Sequence, residues 1–166
     1  MRVYIPATYS MLVELRDNGA ISARGGWAFG VTQELREFFE EGDEEQLEAI
    51  AFDDASEASI RLLAVGDQKE FPHRRVVISA DVDGATPAPE QHESVVKLNP
   101  AQVSLDDVAA LHVDVQEAEG DTARAIAAID AADLGDPDAE IAVGNAVDNY
   151  MAFYDPSELP FLVELL

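Results

Sequence analysis

The chain has no cysteine, one tryptophan, and only two lysines among its ten basic residues. Without cysteine there is no disulfide, no thiolate zinc site and no cysteine nucleophile. Ten basic residues face 34 acidic ones, for a formal net charge of −24. Clustered Lys and Arg, which hold nucleic-acid phosphates and anionic membranes, are therefore missing, and neither direct nucleic-acid binding nor membrane binding is expected. No apolar run approaches the roughly 20 residues that cross a bilayer. Residues 1–6 carry no apolar core or cleavage site of a secretory signal. The expectation is a soluble cytoplasmic protein. Chemical motifs are sparse as well. Gly25, Gly26 and Gly30 do not have the spacing of a dinucleotide fingerprint, no P-loop lysine follows a glycine-rich turn, and there is no Gly-x-Ser-x-Gly elbow.

What is present is a core and an uneven charge. At 166 residues and 48% hydrophobic composition, the chain is long and apolar enough for one globular domain, unlike an acidic disordered tail. Residues 34–57 hold eleven carboxylates and one basic residue, Arg36; residues 98–166 hold fifteen and only Arg124. The cations lie elsewhere, at Arg2, Arg16, Arg24, Arg74 and Arg75. Charge spread evenly keeps a protein soluble, whereas charge gathered in a patch attracts cations or a basic protein.

Local signals order the elements. A strand at 2–5 ends at Pro6, and Thr8 caps a helix closed by Asn18-Gly19. A second strand spans 27–31. Thr32 caps a helix with Leu35, Phe38 and Phe39, and Asp43 caps another running to about Val65. In that helix Leu47, Ala51, Ala55, Ala58 and Leu62 form an apolar stripe, with Asp53, Asp54, Glu57 and Arg61 on the wet side. Residues 75–80 read as a strand buried on both faces, 83–93 as a loop, and 95–98 and 110–113 as strands. Ser104 opens a short helical turn. Asp114 and Glu117 form a box before a helix through Ala125 and Ile129, residues 134–148 read as a mobile acidic loop, and 150–154 as the last strand. Asp155, Pro156 and Glu158 then start the final helix. Strand–helix alternation implies an α/β domain with a mixed sheet of five or six strands and helices packed on it, or alternatively a two-layer α+β arrangement.

Ala28-Phe29 before Glu34-Leu35 echoes Ala152-Phe153 before Glu158-Leu159. The echo allows two βαβα-like halves, 1–82 and 95–166, within one domain, joined by a Pro/Gly loop at 83–94. Residues 2–8, 74–82 and 154–160 carry a further likeness. Through them the chain resembles a group of small acidic proteins from actinobacteria with no assigned function. The resemblance implies an intracellular bacterial protein and transfers no catalytic or ligand residue.

Candidate chemistry comes from strand ends. If the strands run parallel, Thr8, Thr32, Asp81, Asp114 and Asp155 gather at one edge. Asp81, Asp114 and Asp155 would then suit Mg²⁺ or Mn²⁺, hard cations that take oxygen ligands, and a hydrolytic reaction through activated water. Asp114 and Asp155 also read as helix caps, a purely structural role. His112 and Asp114 share a strand face by alternation and form a second, catalytic candidate pair. Ser79, Asp81, Asp83, Gly84 and Glu90 have EF-hand spacing, but the strand before them and Pro87 and Pro89 after them oppose a calcium loop. The leading expectation is a non-catalytic binding or regulatory protein with an acidic surface, no cofactor and a basic protein as partner. The alternative is the divalent-metal-dependent hydrolase.

Overall fold

The β-branched run Val76-Val77-Ile78 lies near the middle of a sheet, where strands are buried on both faces. The structure is a computed structural model that describes residues 1–66 and 70–165. Along the chain run β1 (Arg2–Ala7), α1 (Tyr9–Asn18), β2 (Ala20–Ser22), β3 (Trp27–Phe29), α2 (Gln33–Phe38) and α3 (Glu44–Val65). Next come β4 (Val76–Asp81), β5 (Ala85–Pro87), β6 (Val95–Leu98), β7 (Gln102–Ser104) and β8 (Val108–Asp114). The chain ends with α4 (Glu119–Asp133), α5 (Pro137–Val147), β9 (Met151–Tyr154) and α6 (Leu159–Glu164).

Seven strands form one sheet in the order β5-β6-β3-β1-β4-β8-β9, and β2 pairs with β7 in a separate ribbon. Every pairing is antiparallel. The single α/β domain is as expected, but the sheet is neither mixed nor limited to five or six strands. The additional strands β2, β5 and β7 have three residues each, too few to show a period of two in sequence.

Alternation along the strands sorts the core into two faces. Val3, Ile5, Val76, Ile78, Leu111 and Val113 point to α1 and α6, meeting Leu12, Leu15, Leu159 and Leu162. Tyr4 and Val77 point the other way, to Leu35 of α2 and Leu47, Ala51 and Ala55 of α3. Small residues on α3 let it lie close to the sheet. There Ser59 Oγ donates to the Ala7 carbonyl (2.7 Å) and accepts from Val76 N–H (3.1 Å), tying the helix to β1 and β4.

A second helical layer covers the outer side of α3, where Ile60 packs with Ala125, Ile129, Val143 and Ala146. This layer corrects the reading of 134–148 as a loop. Pro137 occupies the first turn of α5, and Ala139, Val143 and Ala146 are its buried stripe. Their side chains are so small that the stripe is faint in sequence. It is stable because α4 covers it, as most helical stability comes from packing an amphipathic face.

Candidate functional site

Antiparallel pairing divides the expected strand-end cluster. Strands β3, β4 and β9 run one way, while β1 and β8 run the other. Thr32, Asp81 and Asp155 therefore follow strands that end at one edge of the sheet, and Thr8 and Asp114 lie at the opposite edge. Along β8 that separation is about 20 Å, at roughly 3.4 Å per residue. Each of the five has a local partner. Thr8 and Thr32 accept from the Met11 and Leu35 N–H groups as helix N-caps. Asp155 caps the turn before α6 and forms a capping box with Glu158, as the sequence indicated.

Asp81 makes a two-point ion pair with Arg2, at 2.8 and 3.1 Å. The Arg2 hydrogen bonds hold its carboxyl below the ordinary range. In the loop with EF-hand spacing, Ser79 is buried against His112, and β5 begins at Ala85. Among the described residues, no group of three or more His, Asp or Glu side chains is placed to hold a metal ion.

Asp114 is at the centre of a buried knot. Its carboxylate accepts from the backbone N–H of Arg75 (2.7 Å), from Arg75 Nη2 (2.6 Å) and from Thr122 Oγ1 (2.9 Å). The side chains of Arg75 and Asp114 are 1% and 0% exposed. The remaining guanidinium donors reach Ser56 Oγ and the Asn149 carbonyl. The knot thus joins β4, β8, α3, α4 and the turn before β9. The box expected between Asp114 and Glu117 is absent, because the Asp114 carboxylate turns inward to the guanidinium. A carboxylate saturated in this way serves the fold.

His112 does share the α3 side of the sheet with Asp114, as alternation requires. Its Nε2 lies 2.7 Å from Ser79 Oγ, and its ring stands edge-on to Phe52 at 4.8 Å. Burial lowers its pKa to about 4, with a smaller contribution from the Arg2 charge. A His in an unfolded chain titrates near 6.5. Between these values the unfolded state holds the extra proton, so acidification from about 6.5 to about 4 favours unfolding. His112→Gln is expected to lose less stability than the wild type between pH 7 and pH 5, as measured by urea midpoints. Parallel losses in the two proteins would exclude His112 from the acid response.

Two surface features remain that bring different residues together. One is a cleft of about 540 Å³ between α3 and the β3–β6 pair, with Trp27, Phe29, Leu62 and Arg24 in its walls. Behind two of its lining residues, Asp54 and His92, the fully buried Ser94 donates to Asp54 Oδ2 at 2.6 Å, and His92 Nδ1 lies 3.3 Å from Ser94 Oγ. Burial pushes the Asp54 carboxyl up, against the hydrogen bond from Ser94. In a serine hydrolase the histidine stands between nucleophile and carboxylate. In this trio the serine stands between, and its hydroxyl proton is already given to Asp54. The trio is a structural latch between α3 and the loop before β6. It also shows that Asp54, read from sequence as a residue of the wet face, is half-buried.

The other feature is the corner between α2 and α3. Phe38 and Phe39 are 64% and 39% exposed, with ring centroids 4.9 Å apart. Glu37, Glu40, Glu41 and Gln46 surround them. The corner is held firmly. Thr32 Oγ1 donates to the Glu93 carbonyl and accepts from Leu35 N–H, anchoring the start of α2. Arg36 clips α2 to α3 through two hydrogen bonds to Glu44, at 2.6 and 2.9 Å. Asp43 and Gln46 then close a capping box at the start of α3. The sequence named Phe38 and Phe39 as helix residues without marking them as exposed. The six-residue α2 has Leu35 as its one buried residue, so its later turn projects beyond the core.

The class shown is a single α/β domain, an antiparallel seven-stranded sheet with helices on both faces. Within it, the chain belongs to a family of unknown function, DUF6912, whose model matches residues 1–163. The resemblance to a group without assigned function holds at that level. Neither the curated proteins nor the solved structures include a match to the chain.

Proposed function

We propose that this protein is a non-catalytic binding protein that docks a basic protein partner through the α2–α3 corner. The carrying observation is the exposed Phe38–Phe39 pair set among carboxylates on a preorganised turn. Aromatic anchors supply most of the energy at interface hot spots. The surrounding charge steers association and rejects acidic partners. Of the twelve charged residues in 34–57, the one cation, Arg36, is already neutralised by Glu44, so the field at the corner is uniformly negative. Because caps and the Arg36–Glu44 clip already order the turn, docking loses little conformational entropy there. The partner that fits presents an apolar face flanked by Lys and Arg.

The test is affinity capture at about 0.1 M and about 0.5 M NaCl, together with titration of a synthetic Leu/Lys amphipathic helix. Phe38→Ala is expected to weaken binding of the helix by roughly tenfold or more while leaving the melting temperature unchanged. Captured proteins should have basic isoelectric points and be lost at the higher salt. Equal binding by wild type and Phe38→Ala, or capture that ignores salt, would remove the corner as the docking site.

A further inference from the structure

The distribution of cations points to a second, independent site. Seven of the eight arginines are bound to carboxylates: Arg2, Arg16, Arg36, Arg61, Arg74, Arg75 and Arg124. Among the described residues, the side-chain cations of Arg and Lys without a carboxylate partner are Arg24 and Lys97; Lys97 lies over the single tryptophan, and Arg24 lines the same cleft as that ring. With 34 carboxylates available in the chain, an unpaired guanidinium is the exception, and its position is informative.

The local backbone explains how the group is assembled. Gly25 and Gly26 take φ values of 65° and 75°, a turn that L side chains rarely adopt. A Cβ at Gly25 would lie 2.9 Å from Trp27 Cδ1, and one at Gly26 would lie 3.1 Å from Lys97 Cε. Two glycines therefore let the indole and the lysine stem fold over the turn. Trp27 and Lys97 are cross-strand partners in β3 and β6, and Lys97 Nζ lies 4.2 Å from the ring centroid. The ammonium also donates to the Gly25 carbonyl, so one of its three donors is used within the fold. Arg24, exposed at the mouth of the cleft, keeps all of its donors.

The cleft itself has the size and chemistry of a ligand site. Its 540 Å³ falls within the roughly 300–1,000 Å³ usual for small-molecule pockets. Pro6, Trp27, Phe29, Leu62 and Val95 make apolar walls. The acidic groups in its lining are already engaged. Asp54 is held by Ser94, and Glu57 pairs with Arg61.

We propose that this cleft binds a small flat organic anion, an aromatic carboxylate, with its ring against Trp27 and Phe29 and its carboxylate on Arg24. A guanidinium matches a carboxylate through two parallel N–H donors, and the apolar walls supply the remaining contact. A cationic ligand would meet Arg24 as a like charge.

Trp27 emission reports occupancy directly, since the chain has no other tryptophan. The probes are benzoate, benzyl alcohol and benzylamine, titrated into the intact protein at constant ionic strength. Benzoate is expected to change the emission saturably, at concentrations roughly tenfold or more below those of the alcohol, because the alcohol replaces the two-point pair by a single hydrogen bond. Arg24→Gln should remove that tenfold gap while leaving the melting temperature unchanged. Arg16→Gln, which removes another surface arginine, should preserve the gap. Equal binding of acid and alcohol, preference for the amine, no saturable change with any probe, or a gap that survives Arg24→Gln would each overturn the proposal.

Discussion

Asp114→Ala is expected to lose about 3–5 kcal/mol of stability, the usual cost of breaking a buried ion pair from one side. The substitution leaves the Arg75 guanidinium in a site with almost no water, with Ser56 Oγ and two backbone carbonyls as its remaining acceptors. It also strands the Arg75 N–H and Thr122 Oγ1, which the same carboxylate accepts. For a chain of this size the melting temperature should fall by roughly 6–20 °C, at about 2–4 °C per kcal/mol. Urea unfolding measures the loss. Asp81→Ala is the comparison, because its pair with Arg2 is exposed on both sides and should be worth no more than about 1 kcal/mol. The double variant Arg75→Met/Asp114→Leu should be more stable than Asp114→Ala alone, since it removes both charges together. If Asp114→Ala and Asp81→Ala unfold at the same urea concentration, the knot is not what ties the helical layers to the sheet.

Ile78→Ala should cost about 2–5 kcal/mol, the range for truncating a large aliphatic core residue. Ile78 is fully buried on β4, opposite Ile5 of β1 and Leu111 of β8. It belongs to the cluster that receives α1 and α6. With hydrogen-bonded strands on both sides, the backbone around it has little freedom to collapse into the cavity, which favours the upper part of the range. Ile78→Val removes one methylene and should cost only about 0.5–1.5 kcal/mol. A loss for Ile78→Ala no larger than that for Ile78→Val would mean that the sheet centre closes over the deletion.

These two variants probe how the layers are joined, whereas Phe38→Ala and Arg24→Gln probe surfaces. Phe38 lies at the end of a short helix, and Arg24 has no carboxylate partner among the described residues. Neither surface change removes a contact that supports the core, so binding and folding can be read separately.

Capping and alternation act over a few residues, and these parts of the fold were legible in the sequence. Thr8, Thr32, Asp43, Ser104 and Asp155 cap the elements expected of them, because a side-chain oxygen reaches an N–H two or three residues ahead whatever the rest of the chain does. The buried character of Val76, Val77 and Ile78, the absence of cysteine and the acidity of 34–57 were equally plain. Pairing was not. Tyr4 meets Ser79, and Arg75 meets Asp114, across 75 and 39 residues, and no local pattern records such a meeting.

The direction of the strands followed from that pairing, and with it the fate of the strand-end carboxylates. Asp114 looked like a cap or a ligand until the tertiary structure placed Arg75 against it. Trp27, Lys97 and Arg24 were visible as scarce residue types, but only the pairing of β3 with β6 made them neighbours. Sequence determined the capped helices and the longer strands, since those choices rest on contacts within a turn or two, but not α5 or the three-residue strands, whose local patterns are too faint or too short. Tertiary structure decided which charges are neutralised and which stay free, because Coulomb and hydrogen-bond energies depend on distance in space and on burial, neither of which follows from separation along the chain.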